Sequence, residues 1–105
     1  MLVDDLLPVV KANLILSHDL DDDLLRGYIR AAISFSEKYQ HREDGWLDTY
    51  GASDSTKQAL VMLASHFYES RDGSTAGFFA DSVQAGDAVW KAVERLLRMD
   101  REWKV

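Results

Sequence analysis

Apolar side chains recur at intervals of three and four along most of this chain, broken by three polar or glycine-bearing stretches, and that alternation predicts an all-α fold of about four helices. From roughly Val3 to Leu14, Leu6, Leu7, Val10 and Leu14 mark one face of a short amphipathic helix. Pro8 falls within its first turn only if the helix begins near Asp5, which leaves the start open. The polar run SHDLDDD follows, and its aspartates are suited to cap and complement the positive end of a helix beginning near Asp21 or Asp22. That helix carries Leu25, Tyr28, Ile29, Ala32, Ile33, Phe35 and Tyr39 and should run to about Gln40. Residues 41–54, HREDGWLDTYGASD, hold two glycines and no sustained period, so they read as a connecting loop bearing an aromatic pair, Trp46 and Tyr50.

A third helix is expected from about Ser55 to Arg71. Leu60, Leu63, Ala64 and Phe67 form one face, while Ala59, Val61, Met62 and Tyr68 make most of the remaining circumference apolar. Such a helix must be covered on several sides, so it is expected at the centre of the fold or partly against a neighbouring subunit. Residues 72–87, DGSTAGFFADSVQAGD, are rich in glycine and serine and read as a long mobile loop that nevertheless holds Phe78 and Phe79 side by side. After Gly86 a last helix places Val89, Trp90, Val93, Leu96 and Leu97 on one face and Lys91, Arg95 and Arg98 on the other, with Trp103 near a frayed end. No repeat, low-complexity segment or linker divides the chain, and its 105 residues suit one domain, 1–105.

Composition narrows the function classes. Hydrophobic residues at 47% and charged residues at 29% are those of a globular protein. No apolar run approaches the roughly 20 residues of a membrane span, and MLVDDLLPVV lacks the basic start and cleavage site of a secretory leader, so no membrane partner is expected. The absence of cysteine excludes disulfides, thiolate chemistry and sulfur-built zinc sites. A net charge of −6 argues against the clustered basic footprint of nucleic-acid binding. The charge is uneven: residues 1–44 hold nine acids and five bases, 45–86 five and two, 87–105 four and five. An acidic front and a slightly basic tail suit head-to-tail pairing between copies as well as plain solvation of an acidic surface.

The candidates for chemistry are few. His66 and Glu69, in the stretch LASHFYESRDG, are spaced to reach one metal ion, but a zinc site needs three or four ligands, so His18, His41 or loop aspartates would have to converge on them. The plain alternative is a partly buried imidazole bonded to Glu69 or to a backbone carbonyl. Ser65 and Ser70 flank the histidine without a nucleophile elbow. The carboxylate pairs, such as Asp4 and Asp5, lie in polar runs with no apolar pocket to raise a pKa. DLDDD lacks the alternating ligands, central glycine and terminal glutamate of a calcium loop, and the glycines at 73, 77 and 86 do not form a phosphate-cradling loop.

Two stretches taken together resemble the small head–tail connector (adaptor) family of long-tailed double-stranded DNA bacteriophages. VDDLLPVVKANLILSHDLDDDLLRGYIRAAISFSEKY is similar to that family's opening: a short helix, an acid-rich turn, then a helix with a Tyr-Ile-x-x-Ala-Ala core. LASHFYESR looks like its central helix motif, matched by His66, Phe67, Tyr68, Glu69 and Arg71, and the resemblance spans about residues 3–98. Members often carry a proline before the last helix, whereas this chain has only Pro8. The resemblance implies a structural protein without enzymatic activity or cofactor. It implies a ring of twelve copies beneath the portal, joined to a tail or stopper protein, with double-stranded DNA passing through without specific binding. Its location would be the host bacterial cytoplasm during assembly and then the virion. On this reading His66 and Arg71 bond loops or a neighbouring subunit, and the candidate interface residues are Phe78, Phe79, Trp46, Arg71, Arg95 and Arg98. The residues themselves leave two alternatives: a small metal-dependent hydrolase centred on His66 and Glu69, and a helical regulatory module that binds a partner through Phe78 and Phe79.

Overall fold

The computed structural model describes residues 1–70 and 79–100, with 79–86 described as helix backbone alone. Five helices are present, α1 (Leu2–Asn13), α2 (Asp22–Tyr39), α3 (Trp46–Tyr50), α4 (Asp54–Glu69) and α5 (Phe79–Arg98), and no strand occurs among the described residues. The fold is all-α as the periodicity predicts, with five helices in place of about four. The addition is α3, a five-residue helix inside the stretch expected to be a loop; so few residues cannot display a hydrophobic period. Left-handed backbone at Gly45 (φ 84°) and Gly51 (φ 85°) brackets it, and a side chain at either position would be strained.

The ends of the other helices follow the same logic of burial over local signals. The first helix starts at Leu2, so Pro8 lies in its interior and removes the bond that the Asp4 carbonyl would receive. Leu2, Val3, Leu6, Leu7 and Val10 are all buried, and that packing carries the helix through the proline. The last helix begins at Phe79, so residues 79–86 belong to it and not to the loop expected over 72–87. Gly86 inside a helix costs about 1 kcal/mol relative to alanine, but Val93 and Leu97 are fully buried further along the same helix and hold it in place. Residues 72–78 of the expected loop, which include Phe78, and Arg71 at the expected end of the third helix lie outside the described residues.

The central position expected for the third helix is observed, since α4 packs against α1, α2 and α5. Ala59, Leu60, Leu63 and Ala64 of this helix meet Val10, Leu25, Ile29, Leu47, Val93 and Leu97 in one core. Full burial of a leucine or isoleucine stabilises by about 1.5–3 kcal/mol, which makes this seam the main support of the fold.

Two hydrogen bonds at each end of the bundle fix the helix directions. At one end of the bundle the Tyr68 hydroxyl, near the C-terminus of α4, donates to the Asp21 carboxylate at the start of α2. Asn13 at the end of α1 donates to Ser65 Oγ, 2.9 Å away, on the same turn of α4. At the opposite end the Thr56 hydroxyl, in the first turn of α4, donates to Asp100 just past α5 (2.8 Å), and the Leu2 amide donates to Asp48 in α3 (2.8 Å). Hence α1, α2, α4 and α5 alternate in direction, and α3 is a link that does not cross the bundle.

Two helix termini are closed by residues that ordinarily avoid the required conformation. After α1, the Leu16 amide donates to the Lys11 carbonyl (2.9 Å) and the Ile15 amide to Ala12 (3.2 Å), the paired bonds of a Schellman cap. After α2, Arg42 donates to the Glu37 carbonyl (2.8 Å) and His41 to Lys38 (3.2 Å) in the same pattern. The left-handed position is Ile15 (φ 57°) in the first and His41 (φ 59°) in the second, where glycine is the usual occupant. A β-branched residue there costs roughly 1–2 kcal/mol, and Ile15 is 91% exposed, so packing within the subunit returns nothing for it.

Candidate functional site

The end of the bundle that holds α3 carries a buried polar clasp. Gln40, almost wholly buried, donates from Nε2 to Thr56 Oγ1 and to the Leu97 carbonyl, each at 3.0 Å. Both the Thr56 and the Ser53 hydroxyls donate to the same Asp100 carboxylate oxygen, and Ser53 Oγ also accepts the Thr56 amide (3.2 Å) as the N-cap of α4. Arg42 Nη2 donates to the Asp100 carbonyl (3.3 Å), while its guanidinium stacks 4.1 Å from the centre of the Trp46 ring. Glu37, 3% exposed, accepts the amides of Gly45 (3.2 Å) and Leu47 (2.9 Å) and so holds the start of α3. A small cavity of about 110 Å³ lies among Gln40, Arg42, Trp46, Ser53, Thr56 and Asp100. These polar groups are engaged with one another, so the arrangement can tie α2, α4 and α5 together.

The candidate interface residues are distributed as follows. Trp46 is half-buried and packs with its ring centre 5.0 Å from that of the exposed Tyr50, the two planes tilted by 41°, so the aromatic pair expected of this stretch is real and sits on the clasp. Arg95 and Arg98 are exposed on the last turns of α5, just before exposed Met99. Phe78 and Arg71, and the side chain of Phe79, lie outside the described residues. The structure therefore brings Trp46, Arg95 and Arg98 to the same end of the bundle.

The opposite end is acidic. Here the aspartates expected to cap α2 act differently, because Asp21 is the N-cap residue but its carboxylate makes no capping bond. It accepts from Tyr68, Asp19 and Asp22 hold the Lys11 ammonium at 2.5 and 2.9 Å, and Asp23 pairs with Arg26 at 2.8 Å. These tertiary and local partners outcompete the helix amides for the carboxylates. Bonds from Asp19 and then Asp22 raise the Lys11 pKa above its ordinary 10.5, and the Lys11 bond lowers that of Asp19 below its ordinary 3.8. His66 is half-buried and Glu69 exposed at the C-terminus of α4. Among the described residues no three His, Asp or Glu side chains converge as a metal-binding group, so His18 and His41 do not join this pair.

Gln40, Thr56, Asp100 and Glu37 were not singled out by sequence reasoning. Only the Ser53 to Thr56 spacing, a serine just before an apolar helical run, signals part of the clasp.

The described residues thus form a helical bundle with a buried polar clasp at one end and a group of paired aspartates at the other. The chain matches the family model described as phage gp6-like head-tail connector protein over residues 4–101 and belongs to that family. Neither a curated protein nor a solved structure gives a match. No helix among the described residues is long and apolar enough to cross a membrane.

Proposed function

We propose that the chain is the protomer of a twelve-copy ring that sits beneath the portal and joins the DNA-filled head to a tail or stopper protein. The carrying observation is the family match over nearly the whole chain, 4–101. Its activity is assembly and not catalysis: it takes no cofactor, and DNA passes through the ring without specific binding, in keeping with a net charge of −6. The subunit is made in the host cytoplasm and ends in the virion.

The test is a nonsense mutation of this gene in the phage or prophage that encodes it, with imaging of the lysate. DNA-filled heads and free tails should accumulate unjoined, and wild-type particles should carry a ring of this chain under the portal. Normal joined particles without the chain would refute the reading. Stoichiometric metal in the purified protein, lost on His66→Ala, would favour the hydrolase instead.

A further inference from the structure

Resting on the ring reading, we propose which surfaces join successive copies: the α1–α2 corner of one chain, with Ile15 and Leu20 in an acidic collar, receives the Met99, Arg95 and Arg98 end of the next. The observation that prompts this is where apolar surface is left exposed. Among the described residues, Ile15 (91%) and Leu20 (88%) stand out on the connection between α1 and α2, and Met99 (73%) stands out just past α5. The bonds from Tyr68 to Asp21 and from Thr56 to Asp100 put these two sites at opposite ends of α4, whose 16 residues span about 24 Å. A contact between unlike ends of identical subunits is heterologous, the type that generates rings when its rotation closes.

Charge selects a second copy as the occupant. The side chains of Asp19 and Asp23 are 86% and 100% exposed around Leu20, and Arg95 and Arg98 are exposed beside Met99 with no ion pair among the described residues. Asp19 and Asp23 stay exposed while paired with Lys11 and Arg26, so the corner offers carboxylates opposite in sign to the exposed Arg95 and Arg98, which steers approach and fixes register. Ile15 supplies an independent argument. A residue that is strained in its backbone and almost wholly in water is unfavourable on both counts in the lone subunit, and burial by a neighbour removes the second.

Because the chain has no cysteine, the contact can be trapped directly. Leu20→Cys and Met99→Cys, both at exposed positions that leave the core intact, are oxidised separately and as an equimolar mixture of concentrated protein. A disulfide needs Cα atoms within about 7 Å, so the two sites cannot bridge within one chain. The mixture should give at least tenfold more dimer than either variant alone, the double variant should give a ladder of higher oligomers, and Arg95→Glu with Arg98→Glu should lower both yields. Trapping is covalent, so a transient contact suffices. Equal yields in all three samples, dominance by a like-with-like dimer, or no dimer would overturn the proposal. Imaging of a ring in particles tests the ring reading separately, so a ring without this cross-link would discard the interface alone.

Discussion

Replacing Ile15 by glycine should make the isolated subunit more stable, an unusual direction for a substitution that removes a large apolar side chain. The residue holds the left-handed position of the cap that closes α1, at φ 57°. Relief of that conformation for a β-branched residue contributes roughly 1–2 kcal/mol. Glycine's extra freedom in the unfolded chain takes back about 0.5–1 kcal/mol. With the side chain 91% exposed, no burial is lost. Taking the middle of each range, the net gain is about 0.75 kcal/mol, and for a chain near 100 residues each 1 kcal/mol moves Tm by about 4–8 °C, so a rise of roughly 3–6 °C is expected.

Thermal unfolding followed by circular dichroism at low protein concentration reads this directly. Ile15→Val, which keeps the branch at Cβ, should leave Tm unchanged. An unchanged or lower Tm for Ile15→Gly would refute the reasoning, because the side chain would then be contributing to the lone subunit. Under the proposed head-to-tail contact, the same variant should yield a more stable subunit that assembles less well.

The remaining predictions concern the clasp, the core and the acidic corner. Asp100→Ala leaves the Ser53 and Thr56 hydroxyls without their shared acceptor and should cost about 1–3 kcal/mol, seen as a lower urea midpoint; an unchanged midpoint would show that the clasp contributes nothing. Ser36→Ala should be neutral or stabilising by up to about 1 kcal/mol, because its hydroxyl is fully buried and makes no hydrogen bond among the described residues, and clear destabilisation in the same assay would contradict this. The Lys11–Asp19 pair lowers the Asp19 pKa, so its contribution is present above pH 3.8 and is lost as pH falls through the lowered value. Asp19→Asn should therefore reduce the acid sensitivity of Tm below that pH, and an identical acid limb would rule the pair out as a cause.

Long periodic segments were legible because each carries enough apolar positions to declare a face. Leu25, Ile29 and Ala32 in α2 and Leu60, Leu63 and Ala64 in α4 are buried as their spacing requires. Punctuation was less reliable. Pro8 and Gly86 both sit inside helices, since tertiary burial outweighs a local cost of roughly 1–3 kcal/mol. The clasp was illegible for a different reason: Gln40, Thr56 and Asp100 are far apart in sequence, and their types say nothing until three helices bring them within 3.0 Å of a partner. Likewise the run of aspartates announced a helix start, but not that Tyr68, 47 positions away, would take the Asp21 carboxylate.

The short helix α3 matters more for the candidate interface than its five residues suggest. Between the acidic α1–α2 corner and the Arg95 and Arg98 end, the chain crosses the bundle three times, in α2, α4 and α5. Three is odd, so the corner and that terminus face opposite ways. If residues 41–54 had formed a full crossing helix, the count would be four, and the acidic and basic sites would share one end. Contacts between copies would then run through one end alone, and the bundle would carry no charge polarity along its length. Gly45 and Gly51, by turning the chain within a few residues, and Glu37, by holding the amides of Gly45 and Leu47, keep that count odd. The uneven charge visible along the sequence therefore becomes a polarity of the subunit only through this compact link, which is where the fold bears most directly on assembly.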